Sequence, residues 1–308
     1  MALRQVIDAY ELLDSADVDG RAVADFLREQ GVENIHIERI SAAERHTDFL
    51  QIRIPGMRAG APALGVIGKL GGIGARPAQI GIVSDADGAI AAVAMAAKLG
   101  SMAAKGDRLD GDVIICTHIC PAAPTRPHQP VPFMSSPVDR TILGKLEVHP
   151  DMAAVLSIDT SRGNRVVNHK GIAITPTVRE GYILPVAKDL IDILEIVTAE
   201  PAVVMPLSTQ DITPYTNELF HINSILQPAV YASVPVVGVA VTARTAVPGS
   251  ATGATQLDDI EKSVRFSIEV AKNLGRGMCS FHDEAEFGKL QALYGSMRHL
   301  QTAGKTVP

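Results

Sequence analysis

The 308-residue chain contains no tryptophan, five tyrosines and seven phenylalanines. A core with so few aromatic side chains has to be built mainly from Ala, Val, Ile and Leu, a composition that suits parallel strands covered by helices. Apolar residues make up 46% of the chain and charged residues 20%. These proportions are ordinary for a globular protein and argue against a disordered one. The composition therefore predicts an α/β fold.

Basic runs, long apolar runs and cysteines are also scarce. The net charge is −6 and the isoelectric point is about 5.8, so nucleic acid is not an expected partner. No uninterrupted apolar stretch of about 18 residues is present, so no membrane partner is expected. The first residues are acidic and amphipathic, unlike a signal peptide. Together with an odd number of cysteines (Cys116, Cys120 and Cys279), this start predicts a cytoplasmic protein.

Apolar periodicity predicts strands and helices that alternate along the chain. Strands separated by helices imply a mostly parallel central sheet with helices on both faces, which is a three-layer α/β sandwich. No linker divides the chain, so a single domain over 1–308 is expected. The predicted strands are 35–40, 49–54, 64–67, 79–83, 112–117, 154–158, 165–168, 203–207 and 234–242, and the predicted helices are 3–14, 20–30, 88–105, 186–197, 217–226 and 257–274.

Two segments differ from this alternation. Residues 121–138 contain six prolines, which excludes a helix or a central strand. Because this segment follows a strand end directly and carries apolar residues, it is interpreted as a lid over a site, with a disordered linker as the alternative. Residues 282–308 have apolar side chains at helical spacing. They predict a helical tail that packs either on the domain or on a partner.

The strongest functional signal is polar residues that follow predicted strands. Asp85 and Asp87 follow strand 79–83, His118 and Cys120 follow strand 112–117, and Asp159 follows strand 154–158. Ligands of open parallel sheets bind beyond the carboxyl ends of the strands. Two carboxylates and an imidazole from separate strands predict a divalent metal site with Asp85, His118 and Asp159 as ligands. Zn²⁺ is the expected ion, with Mn²⁺ or Ni²⁺ as alternatives.

Each of these residues also has a structural interpretation. Asp87 precedes a helix and could simply cap its N-terminus. Asp159 could form a turn with its own backbone. His118 could hydrogen-bond a neighbouring loop, and the pair His118 and Cys120 is by itself a weak chelating signal. These alternatives stay open on the sequence alone.

Candidate substrate-binding cations lie near glycine-rich segments. Residues 63–77, ALGVIGKLGGIGARP, place Lys69 and Arg76 among glycines. Such a loop can form a backbone nest for a carboxylate or phosphate, or be only a tight crossover. It matches neither a phosphate-loop nor a dinucleotide-binding motif. Arg162 follows the third strand end, and Arg244 opens a small-residue loop before a helix, where an anion could bind.

The order of elements resembles the co-catalytic metallopeptidase fold of the zinc aminopeptidases and carboxypeptidases. In that family an Asp after the corresponding strand bridges two metals, and the resemblance implies that Asp85 takes this position. A second Asp of the family, followed by a hydroxyl residue, ligates one metal, and the resemblance implies that Asp159 takes that position. The family's other ligand positions correspond to 69–71, 117–120 and the region of Gly249, where its His and Glu ligands are missing. The resemblance therefore implies a degenerate site with one metal held by Asp85, His118 and Asp159.

The whole chain also resembles a bacterial and archaeal family of unknown function, through the stretches LGGIGARP, SDADGA, THICP and STQDITPY. The leading functional hypothesis is a metal-dependent hydrolase of a C–N bond in a small amino-acid-like or peptide-like substrate, in which the metal activates water. Asp87 or Cys120 would be the general base. The alternative is a metal-free protein on the same scaffold, either a small-acid binder or an enzyme that uses Cys120 or His118. A homo-oligomer is expected on general grounds.

Overall fold

A large mixed sheet forms the middle of the fold in the computed structural model, which describes residues 1–42, 45–127, 133–222, 224–246, 255–302 and 304. The described residues form nine strands of this sheet and a separate two-stranded hairpin. The strands of the large sheet are β1 (Asn34–Ala42), β2 (Arg45–Ile54), β3 (Ala63–Gly68), β4 (Val113–Ile119), β7 (Met152–Ser161), β8 (Gly171–Ile174), β9 (Val178–Arg179), β10 (Tyr182–Ile183) and β11 (Val236–Thr242), and the hairpin strands are β5 (Thr125–Arg126) and β6 (Phe133–Met134).

The strand order is β1-β2-β4-β3-β7-β11-β9-β10, with β8 paired to β11. The four central strands β4, β3, β7 and β11 are parallel to one another. Antiparallel pairing is confined to the two sides, where β1 and β2 form a hairpin against β4 and β8 runs antiparallel to β11. The predicted mostly parallel sheet is therefore confirmed for the centre, and the carboxyl ends of its strands share one edge.

One face of the sheet is covered by helices that pack around the long buried helix Asp87–Ala103. The helices are α1 (Leu3–Asp14), α2 (Gly20–Glu29), α3 (Asp87–Ala103), α4 (Arg140–Glu147), α5 (Lys188–Thr198), α6 (Leu257–Arg276) and α7 (Glu284–Tyr294). The stretch Ser84–Ala103 is long and apolar enough to cross a membrane, and 78% of its most apolar window is buried within the fold. Its composition is accounted for by its central position in the core.

The Ala- and Gly-rich surface of α3 lets its backbone approach the sheet closely. A Cβ atom added at Gly88 would collide with the backbone of Lys69, and one added at Gly68 would collide with the carbonyl of Gly88. Contact of this kind requires glycine at both positions. It fixes the start of α3 against the end of β3.

The opposite face of the sheet carries a second apolar cluster. α4 and short 3₁₀ segments at Thr209–Ile212 and Gln227–Val230 cover it, and Leu143, Ile212 and Leu226 pack there against the outward side of the sheet. The α-helices on one face, the sheet, and the α4 and 3₁₀ segments on the other face are the three layers of the sandwich that the sequence predicts.

Several predicted elements are wrong, and the most important is strand 79–83. Ile80 is 98% exposed, and Gly81 adopts a φ of +83°, which ordinary side chains disfavour. Only an isolated bridge joins Ile82 to Gly74. The segment is a loop, and Asp85 lies in the 3₁₀ turn Ser84–Ala86 that leads into α3.

Three other predictions are wrong in the second half. Residues 165–168 form a bend and irregular backbone, and the strand comes later, at β8. Residues 203–207 contribute only the bridge between Val204 and Ile174. Residues 217–226 contain no α-helix among those described, because Glu218 takes a left-handed backbone conformation that ends a short 3₁₀ turn. In each case the apolar pattern does not distinguish a strand from a helix, and the apolar residues pack against the sheet.

The two unusual segments have partial order. In the proline-rich segment β5 pairs with β6, while residues 128–132 lie outside the described part of the chain. In the tail, α7 packs on the domain through Phe287, which meets Tyr182 edge-on with ring centroids 5.9 Å apart. The lid interpretation of 121–138 stays a prediction.

Candidate functional site

A group of acidic side chains lies where β7 and the turn before α3 meet at the carboxyl edge of the sheet. Asp159, near the end of β7, is 3% exposed. Its Oδ2 atom accepts a hydrogen bond from the Ser224 hydroxyl at 2.6 Å, and its Oδ1 atom accepts one from the backbone N–H of Thr160 at 2.8 Å. Burial nevertheless raises the pKa of Asp159 from 3.8 to about 7, with the nearby Lys69 charge acting in the opposite direction.

Asp85 is the partly exposed member of this group. Desolvation raises its pKa well above 3.8, and the negative charges of Asp159 and Asp87 raise it further. The charge of Arg162 lowers the pKa by more than Asp87 raises it, and the backbone N–H of Gly71 lowers it by the smallest amount. Two neighbouring carboxyl groups of this kind cannot both ionise freely. The pKa of Asp85 is therefore raised by its burial beside Asp159 in the direction that favours the protonated acid.

Asp87 is fully buried at the first position of α3. No side chain caps this helix, so the capping alternative for Asp87 is not observed. Its Oδ2 atom lies 3.4 Å from Arg162 Nη2, and that guanidinium also donates to the carbonyl of Ser84. Burial raises the pKa of Asp87 to about 6. Arg162 is thus used inside the fold, between the 3₁₀ turn and α3.

Lys69 is held by an acidic residue that the sequence analysis did not single out. Its Nζ atom lies 2.9 Å and 2.8 Å from the two carboxylate oxygens of Glu147. The Lys69 side chain is 14% exposed and that of Glu147 is 3% exposed. The sequence did indicate that Glu147 is buried, because it lies four residues after the apolar Leu143 and so shares the buried face of α4. Lys69 is consequently paired rather than free for a substrate.

His118 lies at the end of β4 and is 2% exposed. Its Nε2 atom faces the carbonyl of Leu70 at 3.2 Å and therefore carries the proton. Its Nδ1 atom then accepts from the Thr47 hydroxyl at 2.7 Å. Burial lowers the pKa of His118 to about 4. Cys120 is buried as well, and burial raises the pKa of its thiol, which disfavours the reactive thiolate.

The described residues do not fit the predicted metal ligands. Both ring nitrogens of His118 are occupied by Thr47 and Leu70, and the part of the chain that the structure describes has no group of three His, Cys, Asp or Glu side chains arranged to hold a metal ion. β3 separates the end of β4 from the end of β7 on this edge. Of the predicted ligands, Asp159 is the one whose charge acts on Asp85.

The remaining predicted cations lie at the periphery. Arg76 donates to the carbonyls of Asp14 at 2.6 Å and Pro121 at 3.4 Å, so it joins two loops. Arg244 is exposed. Most of the small-residue loop that follows it, 247–254, lies outside the described residues.

A hydroxyl pair extends the Asp159 environment. The Tyr215 phenol neighbours Ser224, and its pKa is raised mainly by burial. The guanidinium of Arg140 lies 4.5 Å from the centroid of the Tyr215 ring. Ser224 belongs to the segment 217–226 that was predicted to be helical, whereas Tyr215 lies just before it. Nothing in the spacing of these two residues indicated that they reach the sheet edge.

Comparison with known families identifies the chain. The family described as "Protein of unknown function (DUF1177)" matches residues 38–304, and the chain belongs to this family. No curated protein matches it.

Three solved structures with a similar fold are a maturation enzyme and two aminopeptidases by their titles. The bottromycin maturation enzyme BotP has a TM-score of 0.53 and 17% identity, covering 90% of this chain and 70% of that one. A tomato leucine aminopeptidase mutant has a TM-score of 0.50 and 12% identity, covering 87% and 61%. Cytosol aminopeptidase from Coxiella burnetii has a TM-score of 0.51 and 13% identity, covering 85% and 67%. At these identities the similarity establishes an aminopeptidase-like fold, which confirms the predicted fold class.

Proposed function

We propose that this protein hydrolyses an amide bond in a small amino-acid-like or peptide-like substrate, with Asp85 as the catalytic residue. The observation that carries the proposal is a partly exposed carboxyl group whose pKa is raised beside the buried Asp159. A carboxylic acid that stays protonated at neutral pH is a general acid. The titles of the structural neighbours, two aminopeptidases and a maturation enzyme, support a peptide-like substrate.

One carboxyl group can supply both proton transfers of the reaction. As water adds to the amide carbon, one oxygen of Asp85 takes a proton from that water, while the other oxygen gives its proton to the amide nitrogen. The C–N bond then breaks, the free amine leaves, and Asp85 ends protonated as it began. Asp159 is a positioning residue, because its ionised form raises the pKa of Asp85 and its side chain does not contact the substrate.

Zinc, manganese or nickel has no part in these steps. The predicted ligand His118 has no free ring nitrogen in the described arrangement, so no step is assigned to a metal ion. A cytoplasmic location and a homo-oligomer remain proposals that the fold neither requires nor opposes.

The test is a hydrolysis assay on the full chain with a panel of L-aminoacyl p-nitroanilides and unblocked dipeptides, over a range of pH. We expect Asp85→Asn to reduce kcat/KM by about 10²–10⁴-fold, the usual contribution of general acid–base catalysis. Asp159→Asn removes the charge that raises the pKa of Asp85, so the loss of activity at high pH should move to lower pH. Asp192→Asn, an exposed residue of α5, is the matched control and should behave as wild type.

Three outcomes would overturn the proposal. Equal activity of Asp85→Asn and wild type would remove Asp85 from the chemistry. Activity that EDTA abolishes and Zn²⁺ restores would favour the metal-dependent mechanism. Absence of hydrolysis across the panel, together with saturable binding of the same compounds, would favour the small-acid binding protein.

A further inference from the structure

A cavity of about 370 Å³ lies between the start of α5 and the start of α7. Residues 184–189 line one side of it, and residues between Ser280 and Phe287 line the other. The aspartates at the β7 end are not among the lining residues. The volume is near the lower end of the range for small-molecule sites. The cavity is therefore a candidate binding site, separate from Asp85, for a ligand as small as an amino acid.

Hydrogen bonds fix the two sides of this cavity to each other. The Oδ2 atom of Asp189, in the first turn of α5, accepts from the backbone N–H of Ser280 at 2.8 Å and from its hydroxyl at 2.9 Å. Leu184 and Phe287, which are 4% and 2% exposed, give the wall a fixed apolar part. A preformed wall of this kind suits an apolar group of a ligand.

His282 brings a hydrogen-bond donor without a partner to the cavity. Its side chain is 8% exposed, and its Nε2 atom lies 2.6 Å from Nη1 of Arg179, which also donates to Glu284 at 2.5 Å. A guanidinium only donates hydrogen bonds, so Nε2 accepts and Nδ1 carries the proton. Nδ1 is buried and has no partner within the described part of the chain. His282 lines the cavity and Arg179 does not, so the ring edge that carries Nδ1 is the one turned toward it.

The start of α5 supplies further donors. No described side chain caps this helix, whose N-cap residue is Ala187. The first backbone N–H groups of a helix have no partner within the helix and favour an anion. Here they belong to Lys188 and Asp189, which line the cavity. Together with the N–H of His282, they form a set of donors that suits a carboxylate.

The rim of the cavity carries negative charge. Asp283 and Glu286 are exposed acidic residues of the lining. Lys188, the lysine of the lining, lies 2.6 Å from Asp192 and is paired with it. This rim repels a ligand that is only an anion and attracts an ammonium group. A ligand that carries both charges is complementary to the donors and to the rim.

We propose that this cavity binds a free α-amino acid with an apolar side chain. The carboxylate of the ligand accepts from His282 Nδ1 and from the start of α5, and its ammonium group faces Asp283 and Glu286. Its side chain packs on Leu184 and Phe287. The hydrolysis proposed above would release ligands of this class, but binding depends on the contacts of the cavity and not on that reaction.

The test is isothermal titration calorimetry of the full chain with L-leucine, for which we expect saturable binding. Glycine lacks the apolar side chain and should bind at least about tenfold more weakly. 3-Methylbutylamine lacks the carboxylate and should also lose about tenfold or more. 4-Methylpentanoate lacks only the ammonium group, which faces an exposed rim, and should lose about 2- to 5-fold.

Variants locate the binding. His282→Gln removes the donor at the Nδ1 position while its amide oxygen can still accept from Arg179, and it should weaken leucine binding roughly 10- to 100-fold. Glu286→Gln, at an exposed position that does not endanger folding, should weaken leucine binding about 2- to 5-fold without weakening that of 4-methylpentanoate. Glu200→Gln, an exposed residue outside the lining, is the matched control and should bind as wild type, as should Asp85→Asn.

Four outcomes would overturn the proposal. One is absence of saturable leucine binding, and a second is full leucine affinity in both His282→Gln and Glu286→Gln. Binding that Asp85→Asn abolishes and His282→Gln retains would place leucine at the proposed catalytic residue. Binding of 4-methylpentanoate or 3-methylbutylamine as tight as that of leucine would remove the requirement for both charges. Because the readout is binding, a protein without hydrolytic activity can still bind leucine, so this proposal and the proposed function fail separately.

Discussion

The ends of β4 and β7 lie on the same edge of the sheet, and each carries a buried titratable side chain. At the end of β4, His118 has its two ring nitrogens engaged by Thr47 and Leu70, and its pKa is lowered. At the end of β7, Asp159 has a raised pKa and a partly exposed neighbour, Asp85. Burial shifts the pKa toward the neutral form at both ends. Only the β7 end combines a perturbed carboxyl group with access from solvent, which is why the chemistry is assigned there.

The largest effect on stability is expected from breaking the ion pair beside the β7 end. Glu147→Gln leaves the Lys69 ammonium buried without its counter-charge, which costs about 3–5 kcal/mol in comparable buried pairs. Urea denaturation measures the free energy of unfolding. Asp192→Asn, which breaks the exposed Lys188 pair, should change it by less than about 1 kcal/mol. Similar small effects in both variants would contradict a buried, structural role for Glu147.

The pH dependence of stability should separate Asp159 from the His118 end. The pKa of Asp159 is about 7 in the folded state and 3.8 as its ordinary value, so between these pH values the folded state holds a proton that the unfolded chain has lost. The Asp159 contribution to the free energy of unfolding therefore falls as pH rises through this window, by on the order of 4 kcal/mol. Subtracting the Asp159→Asn curve from wild type, by urea denaturation at each pH, should isolate that fall; a flat difference would contradict it.

A smaller effect is expected from the β4 end. Thr47→Val preserves the shape of a fully buried side chain but leaves His118 Nδ1 without its donor, and an unsatisfied buried polar atom costs about 1–3 kcal/mol. Hydrolytic activity should be unchanged, because His118 acts only in the fold. Thr302→Val, at an exposed position, is the control for the loss of a hydroxyl. Loss of activity without loss of stability would move the chemistry to His118.

The smallest effect is expected at the helix that carries Glu147 to the site. Asp139 caps α4 by accepting a hydrogen bond from the Thr141 backbone N–H at 2.7 Å. Asp139→Ala should cost about 1 kcal/mol, as other N-cap losses do, and should leave the Lys69 pair intact. A loss as large as that of Glu147→Gln would show that the cap, rather than the ion pair, holds α4 against the sheet.

The sequence was informative where a single strand determines the position of a residue. The apolar runs 154–158 and 112–117 placed Asp159 and His118 at the ends of strands. The structure contains both strands. Asp85 was placed correctly at the edge although strand 79–83 is a loop, because the following helix fixes its position. The metal prediction required that three residues converge, and convergence depends on where loops cross, which apolar periodicity does not encode.

Long-range pairing was likewise beyond the sequence. Lys69 and Glu147 are far apart in the chain, and their contact depends on α4 crossing the sheet opposite α3. Thr47 lies on β2 and His118 on β4, and the hydrogen bond between them forms because β2 pairs with β4. The sequence thus indicated which residue types were available, whereas the packing decides which of them are occupied.

The glycine contact between Gly68 and Gly88 has a consequence for how this family can diverge. The start of α3, just after Asp85, lies with its backbone directly on the backbone at Lys69 and Ile158, next to Asp159. The rim of the site is therefore free to accept new residues under mutational drift, while the two glycines are not. In a library that varies the whole edge of the sheet, these two positions should tolerate the fewest replacements among folded members.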